Sequence, residues 1–215
     1  MPDMVLFDCD GVLVDSEPVT NAILAENLAR HGLALSTQEI DALFVGGTMR
    51  AVGEQAVQLG AVLPARWLED IYADMYARLA EGTPMIAGVT DVLEALDKAG
   101  IGYAVGSNGS MEKMRITLGQ HPELWDRLRD RLFSAHVHGV AKPDPELYLI
   151  AARAYGVAPK RCAVVDDSAA GCRAGVAAGM ECFGFAAHDD GARLRTTGAR
   201  VFHTMRDLPE LLGLG

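Results

Sequence analysis

The run Met4-Val5-Leu6-Phe7 carries no charge and stops at two aspartates, Asp8 and Asp10, with Gly11 directly behind. An apolar segment this short, without polar alternation, reads as a strand buried on both faces, the kind that lies in the middle of a parallel α/β sheet. Polar groups just past such a strand sit at the mouth of the sheet, where open α/β folds bind their ligands. Two carboxylates one residue apart repel each other and offer a core little, so the pair needs a reason: a bound divalent cation or a shared proton. A calcium loop does not fit, because Val12 stands where an oxygen ligand is expected and Gly11 comes one position early. Strand alternation turns Cys9, between the two aspartates, the other way and into the core.

Strand-length apolar runs recur at Met4–Phe7, Gly102–Gly106, Leu132–Ala135, Cys162–Val165, Cys182–Phe185 and Arg200–Phe202. Segments of helical period, such as Val89–Ala99, Pro145–Tyr155 and Ala169–Ala178, alternate with the last five. Strand alternating with helix implies a doubly wound parallel sheet. From Ser16 to Thr83 there is no strand signal, and four helices are expected. Glu17–His31 has Pro18 in its first turn and Gly32 as its stop; Gln38–Val45 is opened by the capping box Ser36-x-x-Glu39 and closed by Gly46-Gly47. Met49–Leu59 and, after Pro64, Ala65–Ala80 complete the block. The expected architecture is an α/β core domain over residues 1–15 and 85–215, with an all-helical cap domain, 16–84, inserted between its first two strands. Gly82 and Pro84 suit a hinge at the return connection.

In a chain of 215 residues, half of them hydrophobic and 22% charged, a sizeable packed core is expected. The formal net charge of −10 opposes non-specific contact with nucleic acid or anionic lipid. An anionic substrate must therefore be met by a few well-placed cations. No window approaches 18 consecutive apolar residues, and Met1-Pro2-Asp3 has no basic segment leading into an apolar one, so a cytoplasmic location without membrane association is expected. The four cysteines show no CxxC pairing, which accords with a reducing compartment. Nothing in the sequence indicates an obligate protein partner.

Three further strand ends carry chemistry. Val105-Gly106-Ser107-Asn108-Gly109 places a hydroxyl and backbone amides at the same sheet edge as Asp8. Ala141-Lys142-Pro143-Asp144-Pro145-Glu146 sets one of only four lysines before a helix start, where it would neutralise phosphate charge and keep Asp8 ionised. Val164-Val165-Asp166-Asp167-Ser168 supplies a second carboxylate pair with Ser168 as an N-cap. Each has an ordinary reading by itself: a turn bonding its own backbone, a solvated lysine, aspartates favoured by a helix dipole. In succession they run carboxylate pair, hydroxyl, ammonium, carboxylate pair. In that order the sequence resembles, over nearly its whole length, the haloacid dehalogenase-like phosphohydrolases.

The resemblance implies a Rossmann-like core and a phosphoryl-transfer site. In it Asp8 is the nucleophile and becomes a phospho-aspartate, and Asp10 is the general acid/base. Ser107, Asn108, Gly109 and Lys142 bind the phosphate, and Mg²⁺ is held by Asp8, Asp166, Asp167 and the backbone carbonyl of Asp10. The residue types suit the chemistry: a phosphomonoester is a dianion, and an attacking carboxylate is repelled until cations screen the charge and align the phosphorus.

Within the family, the absence of lysine between Ser16 and Thr83 removes the phosphonate-hydrolysing branch, which needs a cap Lys for a Schiff base. Thr20 and Asn21 stand where β-phosphoglucomutase-like enzymes contribute a His. The segment Ser107-Asn108-Gly109 with Lys113 and Met114, the VVDDSAAG run, and Ala178-Gly179-Met180-Glu181 are similar to the bacterial 6-phosphogluconate phosphatases. A Mg²⁺-dependent phosphatase acting on a small phosphorylated sugar, sugar acid or polyol is thus expected. A β-phosphoglucomutase-like phosphotransferase and a catalytically silent phosphometabolite-binding regulator stand as alternatives. Among the cap cations Arg30, Arg50, Arg66 and Arg78, Arg50 after Gly46-Gly47-Thr48 is the one expected to face the core and bind substrate. Gly171, Gly175 and Gly179 are expected to form a smooth helix face against the sheet.

Overall fold

The computed structural model describes residues 1–44 and 48–214. Val45, Gly46 and Gly47, where the sequence places the end of the second helix and the turn before Arg50, lie outside the described residues.

Among the described residues, six strands form one parallel sheet: β1 (Met4–Phe7), β2 (Gly102–Ser107), β3 (Leu132–Ser134), β4 (Cys162–Asp166), β5 (Glu181–Phe185) and β6 (Arg200–Phe202), in the spatial order β3-β2-β1-β4-β5-β6. The chain winds outward from β1 in one direction through β2 and β3, then returns to the other side of β1 for β4. That reversal between β1 and β4 leaves a crevice beyond their carboxyl ends, and the helices that would close it diverge to opposite faces. Register brings Phe7 level with both Val105 and Val165, so the residues following all three strands emerge side by side.

The absence of polar alternation in β1 has the expected cause. Val5, Phe7 and Cys9 enter a core shared with Val92, Leu96, Val105, Met114 and Phe183 on one face of the sheet. Met4 and Leu6 enter the core on the other face, with Tyr148, Ala151, Val164, Cys172 and Ala174. The helix Ala169–Ala177 lies close on β4 because a Cβ at Gly175 would already sit 3.0 Å from the Val164 Cβ. Gly179 departs from the expected packing face: among the described residues no atom lies within 4 Å of where its Cβ would stand, and its φ of +74° places it in the left-handed turn that follows the helix.

By contact density the chain divides into two units, Met1–Asp15 with Pro84–Gly215, and Ser16–Thr83. The second contains the helices Glu17–Arg30, Thr37–Phe44, Met49–Gln58 and Trp67–Glu81. The capping box forms: Ser36 N–H donates to Glu39 Oε2 at 2.8 Å, and Glu39 N–H donates to Ser36 Oγ at 3.2 Å. Inside this unit the indole of Trp67 lies on Gly53 and donates to Asn27 Oδ1 at 2.6 Å. In the sheet unit, the two segments that lead to and from the insertion are joined as a short antiparallel ribbon, with Asp15 N–H donating to Pro84 O and Ile86 N–H to Leu13 O. No helix among the described residues is long and apolar enough to cross a membrane.

Leu6 is fully buried at the centre of the sheet. Leu6→Ala is expected to lower unfolding free energy by about 2 to 5 kcal/mol in urea titration, the range for a core leucine whose surroundings cannot collapse.

Candidate active site

The end of β1 is tied to β4 by the Asp8 N–H, which donates to Val165 O at 2.9 Å. The chain then turns tightly, with Leu13 and Val14 N–H both donating to Cys9 O and Gly11 N–H to Val14 O. Gly11 has φ +73°, and a Cβ there would lie 1.9 Å from Asp167 Oδ2. Both the turn and the space for the Asp167 carboxylate therefore require glycine. Cys9 is buried on the opposite side, as its place in the strand implies, and burial pushes its thiol far above the range in which cysteines react.

Lys142, whose peptide bond to Pro143 is cis, reaches into the crevice between β1 and β4. Its ammonium donates to Asp8 Oδ1 at 2.7 Å and to Asp166 Oδ2 at 2.8 Å, and lies 4.9 Å from the centre of the Tyr148 ring. Only 3% of its side chain is exposed. Burial alone would lower its pKa, but the charges of Asp166 and Asp8 outweigh burial and raise it, so Lys142 is an ammonium at any pH of interest.

Asp166, fully buried, accepts four hydrogen bonds: Ser168 N–H (2.9 Å) and Oγ–H (2.7 Å) on Oδ1, Lys142 and the Tyr148 hydroxyl (2.7 Å) on Oδ2. Ser168 caps the following helix, as expected, by accepting from Gly171 N–H at 3.0 Å. A Cβ at Gly171 would fall 1.7 Å from Asp166 Oδ2, so this glycine gives room to a carboxylate and not, as expected, to the sheet. One oxygen each of Asp8, Asp166 and Asp167 lies within 4.8 Å of the others. Burial pushes the Asp8 carboxyl up to about 7, with Asp166 and Asp10 adding to the effect and Lys142 opposing it.

The loop after β2 supports this group. Ser107 is buried, and its Oγ accepts from Gly109 N–H at 2.9 Å; Ser134 Oγ in turn donates to Gly109 O at 2.7 Å. The Asn108 side chain accepts from Lys142 N–H at 2.8 Å and donates to Lys142 O at 3.2 Å. Its amide is thereby committed to holding Lys142. Asp10 is ion-paired with Lys113, 2.9 Å from Oδ2. Arg50 belongs to the helical unit, where it is exposed and lines a cleft of about 600 Å³ with Glu54, Gln58, Trp67 and Leu68.

Asp8, Asp10, Ser107, Asn108, Gly109, Lys142, Asp166 and Asp167 thus come together from the carboxyl ends of β1, β2 and β4 and the connection after β3, at one sheet edge. Tyr148 and Ser134 were not foreseen. The signal for Tyr148 was a phenol among the inward residues of a helix, since a buried hydroxyl needs a partner.

Comparison with known proteins bears directly on this arrangement. Residues 2–179 match the profile described as "Hydrolase: haloacid dehalogenase-like hydrolase". The chain belongs to that family. It is 32% identical to the 6-phosphogluconate phosphatase of Escherichia coli K12 over 97% of this chain and 94% of that protein. It is also 32% identical to hexitol phosphatase A of the same organism, over 94% and 91%. A crystal structure of a haloacid dehalogenase family hydrolase from Deinococcus radiodurans, with bound phosphate and sodium, superposes with a TM-score of 0.82 at 34% identity, covering 99% of this chain and 96% of that one. The protein is a phosphoric monoester hydrolase.

Gly171→Ala is expected to displace the Asp166 carboxylate, with a stability loss of about 1 to 3 kcal/mol measured by urea unfolding. A second expectation concerns pH. The Asp8 carboxyl, raised from 3.8 to about 7, binds its proton more tightly in the folded state. Its contribution to stability is complete below 3.8 and is lost as the pH rises through about 7. In excess chelator, Asp8→Asn is therefore expected to melt higher than the wild type at pH 8, by at least about 2 °C, and the difference should vanish near pH 4. Scanning calorimetry at the two pH values checks this.

Proposed function

We propose that the protein is a Mg²⁺-dependent phosphatase that hydrolyses a small phosphorylated sugar, sugar acid or polyol through a phospho-aspartate on Asp8. The observation that carries this reading is the Lys142 ammonium bridging Asp8 and Asp166, with Asp167 alongside, at the reversal point of the sheet. Three carboxylates so close leave net negative charge after one lysine is counted, and their hard oxygens suit Mg²⁺. Asp8, Asp166 and Asp167, with the carbonyl of Asp10, would hold the ion. When bound, Mg²⁺ supplies charge screening at the transferring phosphoryl group. Asp166 already accepts four hydrogen bonds, so its part is to anchor Lys142 and Ser168 as much as to face an ion.

Lys142 meets the anionic substrate and orients Asp8 for in-line attack on phosphorus. The donors of the Ser107-Asn108-Gly109 loop complete the phosphate site, with Asn108 acting through the position of Lys142. Asp10 gives its proton to the departing alcohol oxygen, then takes one from the water that cleaves the phospho-aspartate. The substrate class is supported by the similarity to a 6-phosphogluconate phosphatase and a hexitol phosphatase. The free, buried cysteines accord with a cytoplasmic setting.

The test is phosphate release from 6-phosphogluconate, hexitol phosphates, aldose phosphates and phosphoglycolate, with Mg²⁺ and in excess chelator. Turnover is expected with at least one sugar-acid or hexitol phosphate, and it should be lost in chelator. Asp8→Asn should fall at least about 1,000-fold in kcat. Undiminished hydrolysis by that variant, or full activity without divalent metal, would remove the mechanism.

A further inference from the structure

Lys113 occupies a place that helix energetics does not favour. It lies in the first turn of the helix Met111–Leu118, its own N–H bonded to the N-cap Ser110, where the positive end of the helix dipole disfavours a cation. It is also largely covered, with 15% of its side chain exposed, in a chain that has only four lysines. What compensates is Asp10. The ammonium lies 2.9 Å from Asp10 Oδ2, and the Asp10 carboxylate is itself only 23% exposed. The pair passes over Gly109, where a Cβ would stand 3.5 Å from Asp10 Oδ2 and 3.6 Å from Lys113 Cδ.

An ammonium has three donors and no acceptor. An oxygen facing it must accept, and the carbonyl oxygen of a carboxylic acid accepts better than its hydroxyl, so a proton carried by Asp10 is favoured on the other oxygen. We infer that Lys113 is a positioning residue for Asp10: by engaging Oδ2 it makes Oδ1 the oxygen that delivers the proton to the leaving group. The inference rests on the phosphatase reading above. In the step concerned, a carboxylate oxygen of Asp8 forms a bond to phosphorus while the phosphorus–oxygen bond to the alcohol breaks. The electron pair of that bond stays on the alcohol oxygen, and the proton on Asp10 Oδ1 moves to it. Asp10 is left as a carboxylate with Lys113 already against its other oxygen.

Two substrates that differ in their need for that proton test the assignment. The nitrophenolate of 4-nitrophenyl phosphate departs without protonation, whereas the alkoxide of benzyl phosphate does not. Because kcat/KM covers events up to departure of the alcohol, it isolates this step from hydrolysis of the phospho-aspartate. Lys113→Met is expected to lose about 10- to 100-fold more in kcat/KM on benzyl phosphate than on 4-nitrophenyl phosphate. Lys113→Arg, which keeps a donor toward Oδ2, should recover most of the difference, and Asp10→Asn should show the same substrate dependence in larger measure. Should Lys113→Met fail to fold, Lys113→Ala with and without added ethylammonium replaces it, the amine being expected to restore benzyl phosphate hydrolysis selectively. Equal losses on the two substrates, no loss on either, or no selective rescue would overturn the role of Lys113 while leaving the phosphatase reading intact. Absence of substrate dependence in Asp10→Asn would instead remove the acid role of Asp10, and the inference with it. A wild type inactive on every phosphomonoester would remove the reading itself.

Discussion

A buried ammonium between two buried carboxylates is the constraint around which the rest of the sheet edge is built. Each of Lys142, Asp8 and Asp166 would be costly to bury alone, and removing any one leaves its partners with uncompensated charge. Their mutual attraction is effective only while the geometry holds, and the geometry is distributed over the fold. Asp8 and Asp166 lie at the ends of adjacent strands, Lys142 comes from the connection after β3, and Tyr148 covers the ammonium from the next helix. The three charges do not cancel. Burial, with the charges of Asp166 and Asp10 adding to it and Lys142 opposing, raises the Asp8 carboxyl, so the group proposed to attack phosphorus is held in a state that costs the metal-free protein stability.

Space at this edge is made by glycines. Gly11 and Gly171 are at the positions where a methyl group would fall inside the carboxylates of Asp167 and Asp166 respectively. Gly11 belongs to the turn after β1 and Gly171 to the first turn of the helix after β4, so both segments come within contact distance of the charged groups they must position. The cost is that neither position tolerates any side chain, and substitution there acts on the site directly, without first disturbing the core.

Much of this was legible in the sequence because the signals were local. Strands β1 and β4 are apolar runs ending in carboxylate pairs, and the capping box at Ser36 needs only residues three apart. Others were not. The helices Met111–Leu118 and Pro122–Leu128 fill the crossover from β2 to β3, but their apolar residues are interrupted by Lys113, Arg115, Asp126 and Arg127, which leaves little periodicity to read. Tyr148 reads as another apolar residue of its helix until its hydroxyl is seen to face Asp166. Asn108 looks like a turn residue or a phosphate donor, and its actual partner is 34 residues away. Gly171 and Gly175 share a spacing but serve different neighbours, a carboxylate in one case and Val164 in the other. In each instance the deciding contact is long-range, and residue type alone does not name it.

The Asn108 side chain accepts from the main-chain N–H of Lys142 and donates to its carbonyl, the same pair of bonds that one residue of a β-ladder offers another. A primary amide here imitates a peptide group, and two segments that do not pair as strands acquire one rung of a sheet. The main-chain N–H of Lys142, although it lies in an irregular segment, is thereby shielded from exchange with water in the manner of a strand residue. Disturbances of the loop after β2 and of the lysine backbone are consequently coupled through a single side chain, so that substitutions at Asn108 and at the lysine's neighbours combine non-additively.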